Sequence, residues 1–139
     1  MKRLRHWLML AVLILLFSCK KYIQQQEEKA ALAVVTNGLW YVTSYLKNDT
    51  DITPSFSGYL FKFDQDGIVT GTRDSVSIAG IWSVNIGART ISTDFPTAGE
   101  PVKELNATWN ITDSYTDSVA ARSVDTTNNT TNILQLRKQ

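Results

Sequence analysis

The chain has 139 residues, 14 of them basic and 13 acidic, with one histidine and one cysteine. A charge balance this even excludes the dense positive stripe that nucleic-acid binding needs. A lone cysteine cannot close a disulfide within the chain, and one histidine with one cysteine is too few for the usual structural zinc sites.

The first element in chain order is apolar. Lys2, Arg3 and Arg5 precede an uncharged stretch from Trp7 to Phe17. A basic start followed by an apolar run is the layout of a secretory signal, and the run is shorter than the roughly 20 residues a transmembrane helix requires. It ends Leu16-Phe17-Ser18-Cys19, which resembles a bacterial lipoprotein box, with a bulkier residue at Phe17 than is usual there. The resemblance implies a lipoprotein signal peptide over residues 1–18 and lipid attachment at Cys19 through palmitate-type chains. The partner it implies is a membrane, held through the N-terminal lipid. Lysine at position 20 implies release to the outer membrane, facing either the periplasm or the exterior.

Loss of the leader would remove Lys2, Arg3, Arg5 and His6, leaving 11 basic residues against 13 acidic ones and no imidazole. Acylation would consume the only thiol. A Ser-His-Asp triad and a Cys-His nucleophile are then both excluded, and no catalytic residue, metal site or cofactor is expected.

Residues 19–36 are polar and then alanine-rich, with no glycine or proline. The segment reads as a tether able to form one short helix of about three turns, marginal by itself because helix nucleation is costly. Its apolar face is mostly alanine and offers a partner helix little to grip.

From residue 37 to 139 the period changes to that of strands. "GLWYVTSYL", "GYLFKF", "IVTGTR", "VSIAGIWSV", "RTISTDF", "ATWNITDSY", "SVAARSV" and "NILQLRK" alternate apolar with polar residues. Turn chemistry separates them, as at Asp64-Gln65-Asp66-Gly67 and Arg73-Asp74-Ser75. Short connections between consecutive strands predict an all-β fold, a small antiparallel eight-stranded meander barrel, with a β-sandwich as the alternative. Alternation assigns Trp40, Val42 and Ser44 to the buried face of the first strand. It assigns Tyr59, Phe61 and Phe63 to the second, then Ile78, Gly80, Trp82 and Val84, then Ile91, Thr93 and Phe95, then Trp109 and Ile111, and last Leu134 and Leu136.

Gly38-Leu39-Trp40 resembles the Gly-x-Trp that opens the first strand of lipocalins. "GYLFKFDQDGIVTG", "IAGIWSV", "ELNATWNIT" and "LQLRK" look like a group of bacterial lipoproteins with a lipocalin-like domain. The resemblance implies a calycin-type barrel on a lipid anchor, and lipocalins bind small apolar ligands. It also implies a basic residue packed on the tryptophan, for which Arg137 is the first candidate and Arg122 the second.

Trp40, Phe61, Phe63, Trp82 and Trp109 either line a ligand cavity or fill the core. Strands of six to eight residues enclose a squat interior that such side chains can fill. Asp64 and Asp66 do not make a complete calcium loop, since Ile68 stands where a third oxygen ligand would be needed, and a hairpin turn accounts for them. The function expected is a membrane-anchored, non-enzymatic lipocalin-like domain that binds a small apolar ligand or acts as an accessory module. The alternative is a protein-interaction module of a cell-envelope assembly with a solid core. A carboxylate-dependent hydrolase is a remote third.

Overall fold

The structure is a computed structural model and describes residues 2–139, with side chains from Cys19 onward. The side chains of the predicted leader, residues 1–18, lie outside the described residues. A helix, α1, runs over Lys2–Thr36. From Cys19 it continues for about five turns rather than three, because Gln, Glu, Lys and Ala are strong helix formers and nothing interrupts them. Among the described residues, no helix is long and apolar enough to cross a membrane.

Nine strands follow: β1 (Trp40–Lys47), β2 (Thr50–Asp51), β3 (Leu60–Phe63), β4 (Ile68–Arg73), β5 (Val76–Asn85), β6 (Thr90–Asp94), β7 (Ala107–Ser114), β8 (Ser118–Asp125) and β9 (Thr130–Lys138). All pair antiparallel in the order β2-β1-β3-β4-β5-β6-β7-β8-β9, and β1 also pairs with β9 from Trp40↔Lys138 to Lys47↔Asn132. That last pairing closes an eight-stranded barrel and rules out the open sandwich. β2 is a two-residue addition outside the ring. The closure is uneven: β1 meets β3 only at Trp40↔Phe61. Closure removes the free edges that an open sheet would expose.

The turns follow their residues. Asp74 and Ser75, with φ of 51° and 66°, make a two-residue connection between Arg73 and Val76, the backbone pattern that suits the twist of a tight hairpin. At Asp64-Gln65-Asp66-Gly67 the Gly67 N–H donates to the Asp64 carbonyl, and Asp66 Oδ1 accepts from the Ile68 N–H. The expected hairpin turn is therefore present. Asp64 itself faces Lys62 at 3.2 Å.

Up-and-down topology gives the barrel two unlike ends. The proximal end receives α1 and carries the turns at 64–67, 86–89 and 115–117; the distal end carries the connections at 48–59, 74–75, 95–106 and 126–129. Leu32 and Val35 of α1 pack against the core at the proximal end.

Alternation places most of the core correctly, with one instructive departure. Val42 pairs with Leu136 and Ser44 with Gln135, so Thr43 is an extra residue in β1. Such a bulge shifts the side-chain phase by one. Trp40 and Val42 face inward as expected, but beyond the bulge Tyr45 is fully buried and Ser44 is only half-buried.

Candidate functional site

The predicted ligand-lining residues converge, and they fill the space they surround. Trp40, Phe61, Phe63 and Trp109 border a cavity of about 50 Å³ inside the barrel, lined by apolar side chains apart from Thr93. That is a third of the roughly 150 Å³ that accommodates benzene. Trp82 is buried as well, but it packs edge-on against Phe63 with ring centroids 5.3 Å apart and does not border the cavity.

Each of these tryptophans has its indole N–H satisfied, as buried indoles require. Trp40 Nε1 donates to the Val35 carbonyl at 2.9 Å, Trp82 Nε1 to the Asp64 carbonyl at 2.9 Å and Trp109 Nε1 to the Leu105 carbonyl at 3.0 Å. The first bond does more than satisfy a donor. Val35 lies in the last turn of α1, whose carbonyls lack partners within the helix, so Trp40 ties α1 to the barrel floor. Gly38, at φ +94°, turns the chain between the two.

The basic residue over the tryptophan is Lys138, whose Nζ stands 5.1 Å from the Trp40 ring centroid. Neither Arg137 nor Arg122 takes that place. Arg137 is paired with Tyr41 and points to the other side of β9, while Arg122 is exposed on β8. Lys138 is directly opposite Trp40 in the ladder, so the barrel-closing register decides which cation reaches the ring.

The distal end is shut by residues that strand periodicity does not flag. Phe56, in the 3-10 turn Thr53–Phe56, stacks on Tyr45 with centroids 5.4 Å apart. Val102 and Leu105, in the 3-10 turn Val102–Leu105, are buried beside Phe95. The long connections at 48–59 and 95–106 are thus partly lids, each spending its apolar residues on the barrel mouth. The only signal in the sequence is that loops rich in Thr, Pro and Ser carry isolated large apolar side chains.

Tyr45 holds the lid at its hinge with the wall. Its ring meets Trp109 edge-on at 5.8 Å, and its hydroxyl donates to the Glu104 carbonyl at 2.6 Å. Burial pushes the Tyr45 phenol far above its ordinary value, and the charges of Glu104 and Glu100 add to the shift. The folded state therefore holds this proton more tightly than the unfolded chain does. The stabilisation is complete below the ordinary tyrosine value of about 10 and is lost as pH rises above it. Denaturant unfolding across a pH series should show stability falling above about pH 10, and Tyr45→Phe should flatten that limb while costing about 1 kcal/mol at neutral pH. An unchanged alkaline limb in the variant would remove Tyr45 as its cause.

Beside the lid, Lys47 Nζ bonds Glu104 Oε1 at 2.7 Å, and that hydrogen bond raises the Lys47 ammonium above its ordinary value. The ion pair borders a polar cleft between the lid and the β8–β9 hairpin tip. At the proximal end, a groove of about 530 Å³ between α1 and the barrel is lined chiefly by apolar side chains, among them Val34, Ile86, Ile91 and Val119. Among the described residues, no group of three or more His, Cys, Asp or Glu is placed to hold a metal ion.

No protein-family model matches the chain, and no curated protein matches it. Among solved structures, a DUF4847 family protein from Bacteroides vulgatus is similar, with a TM-score of 0.54 and 14% sequence identity. The match covers 78% of this chain and 99% of that one. At that identity the likeness concerns the fold, a closed antiparallel barrel, and nothing finer.

Proposed function

We propose that the chain is a lipid-anchored, non-enzymatic lipocalin-like module of the cell envelope that works through its outer surface rather than through a ligand inside the barrel. The filled interior carries this reading. A residual space of about 50 Å³ cannot admit an acyl chain, whereas a rigid body with loops at one end is a common scaffold for contacts. The lipoprotein box at Cys19, with Lys20 after it, supports an outer-membrane anchor. Two or three acyl chains, at about 0.8 kcal/mol per buried methylene, would hold the module firmly. The tether then enters at the proximal end and leaves the distal face turned toward partners.

Photo-crosslinking in intact cells tests this. A crosslinker at Thr126, on the distal face, should give an adduct of one defined mass, whereas the same group at Ala88, on the proximal end, should not. Equal labelling from both positions, or none from either, would refute the distal interface. Mass spectrometry of the mature N-terminus tests the anchor separately, since an unmodified Cys19 would dispose of it.

A second reading keeps the apolar ligand but moves it outside the barrel, into the groove between α1 and the proximal end. Saturable displacement of an apolar dye by fatty acids, abolished by Val34→Asp, would favour it. No displacement would leave the solid module alone.

A further inference from the structure

The cleft at the distal end holds a polar group that the fold itself does not satisfy. Asn132, on β9, is only 9% exposed, and its Oδ1 is buried with no hydrogen-bond partner. Its Nδ2 donates to Ser123 Oγ at 3.3 Å across the β8–β9 pair, and Ser123 is buried too. The two side chains form part of the lining of a cleft of about 630 Å³, with the Lys47–Glu104 ion pair along one side and Asp125 and Asn128 along the other.

An unpartnered buried amide oxygen costs about 1–3 kcal/mol, a cost that Asn132→Leu together with Ser123→Ala would avoid altogether. The amide is also adaptable. Ser123 can donate or accept, so a rotated Asn132 keeps its partner and offers the cleft a donor in place of an acceptor. A ligand hydroxyl, which is both donor and acceptor, suits either orientation.

The surroundings narrow the class. Lys47 and Lys103 balance Glu104 and Asp125, so the lining favours neither an anion nor a cation. The Asp125 carboxyl is itself occupied by the Asn128 side chain and the Thr127 and Asn128 backbone N–H groups, and these bonds hold it below the usual carboxylate range. β8 is paired with β7 and β9, and β9 with β8 and β1, so no free strand edge is available for a peptide backbone to join. We propose that the cleft binds a neutral, hydroxyl-rich ligand, a saccharide, through the Asn132–Ser123 pair at its floor.

The test is amide chemical-shift mapping of the full-length chain in a zwitterionic detergent, titrated with maltose, cellobiose and chitobiose and, separately, with triglycine. At least one saccharide should give saturable shifts centred on Lys47, Asn128 and Asn132. Asn132→Leu should weaken that binding by about tenfold or more, the loss of one hydrogen bond to a buried group, while the variant keeps the dispersed amide spectrum of the folded barrel. If Asn132→Leu does not fold, Ser123→Ala, which removes a single hydroxyl, should weaken binding in the same way. The proposal is overturned if no saccharide gives saturable shifts, if the shifts survive both substitutions, or if triglycine alone produces them. Thr126 borders the same cleft, but the titration uses the isolated chain and free saccharide, so its failure is read separately from a missing crosslink in cells.

Discussion

Trp40→Ala is expected to destabilise the barrel by about 3–5 kcal/mol, the range for truncating a large buried aromatic. Trp40 is 1% exposed and joins four elements: it pairs with Phe61 of β3 and Lys138 of β9, stands at the start of β1, and bonds the Val35 carbonyl of α1. Truncation would leave a void next to the existing cavity and free a helix carbonyl at the same time. It would also strike the seam where β1 and β3 share a single residue pair, the least supported join in the ring. Since domains of this size are stable by only about 5–15 kcal/mol, the variant should be near the limit of folding. Trp40→Phe should recover most of the packing but not the bond to α1. Equilibrium denaturation followed by circular dichroism measures both, and a loss below about 1 kcal/mol in Trp40→Ala would refute this account of the seam.

The second large effect comes from adding atoms. Gly80 sits in the middle of β5, where a Cβ would lie 2.5 Å from the Asp94 carbonyl oxygen and 2.7 Å from Phe95 Cδ1. Neither neighbour can yield cheaply. The carbonyl belongs to the adjacent strand, and the Phe95 ring is buried in the core. Gly80→Ala should therefore cost at least about 1–3 kcal/mol, as overpacking does, and Gly80→Val should cost more. Gly99→Ala provides the control, because a Cβ there meets nothing within 4 Å, and it should be neutral or slightly stabilising. Thermal melts of the three variants decide the matter. Equal melting temperatures for Gly80→Ala and Gly99→Ala would show that β5 and β6 separate more readily than their packing implies.

Alternation over "VSIAGIWSV" places Gly80 on the buried face beside Trp82, yet it gives no reason for a glycine there. The reason is the ring of Phe95, which the chain reaches only after the turn at 86–89 and the whole of β6. Similarly, Trp40 is legible as an inward residue, while its cation is not. Residue type favours Arg137, but the ladder puts Lys138 opposite the ring. At β1 a single extra residue, Thr43, turns Ser44 away from the core and brings in Tyr45, the residue to which the distal lid is fastened.

By itself the sequence determined what depends on near neighbours: the strand-rich domain after residue 37, its turns, a helix before it and most inward faces. These follow from side-chain period and turn chemistry, which act over a few residues. The short connections also favoured the barrel, but tertiary structure alone decided the register in which β1 closes on β9, the bulge at Thr43, the burial of Phe56, Val102 and Leu105 as lids, and hence the filled interior. Those features depend on which residues meet across long separations in the chain. The space inside a barrel is the small difference between the volume its strands enclose and the volume its side chains and lids occupy, and a local pattern carries neither quantity.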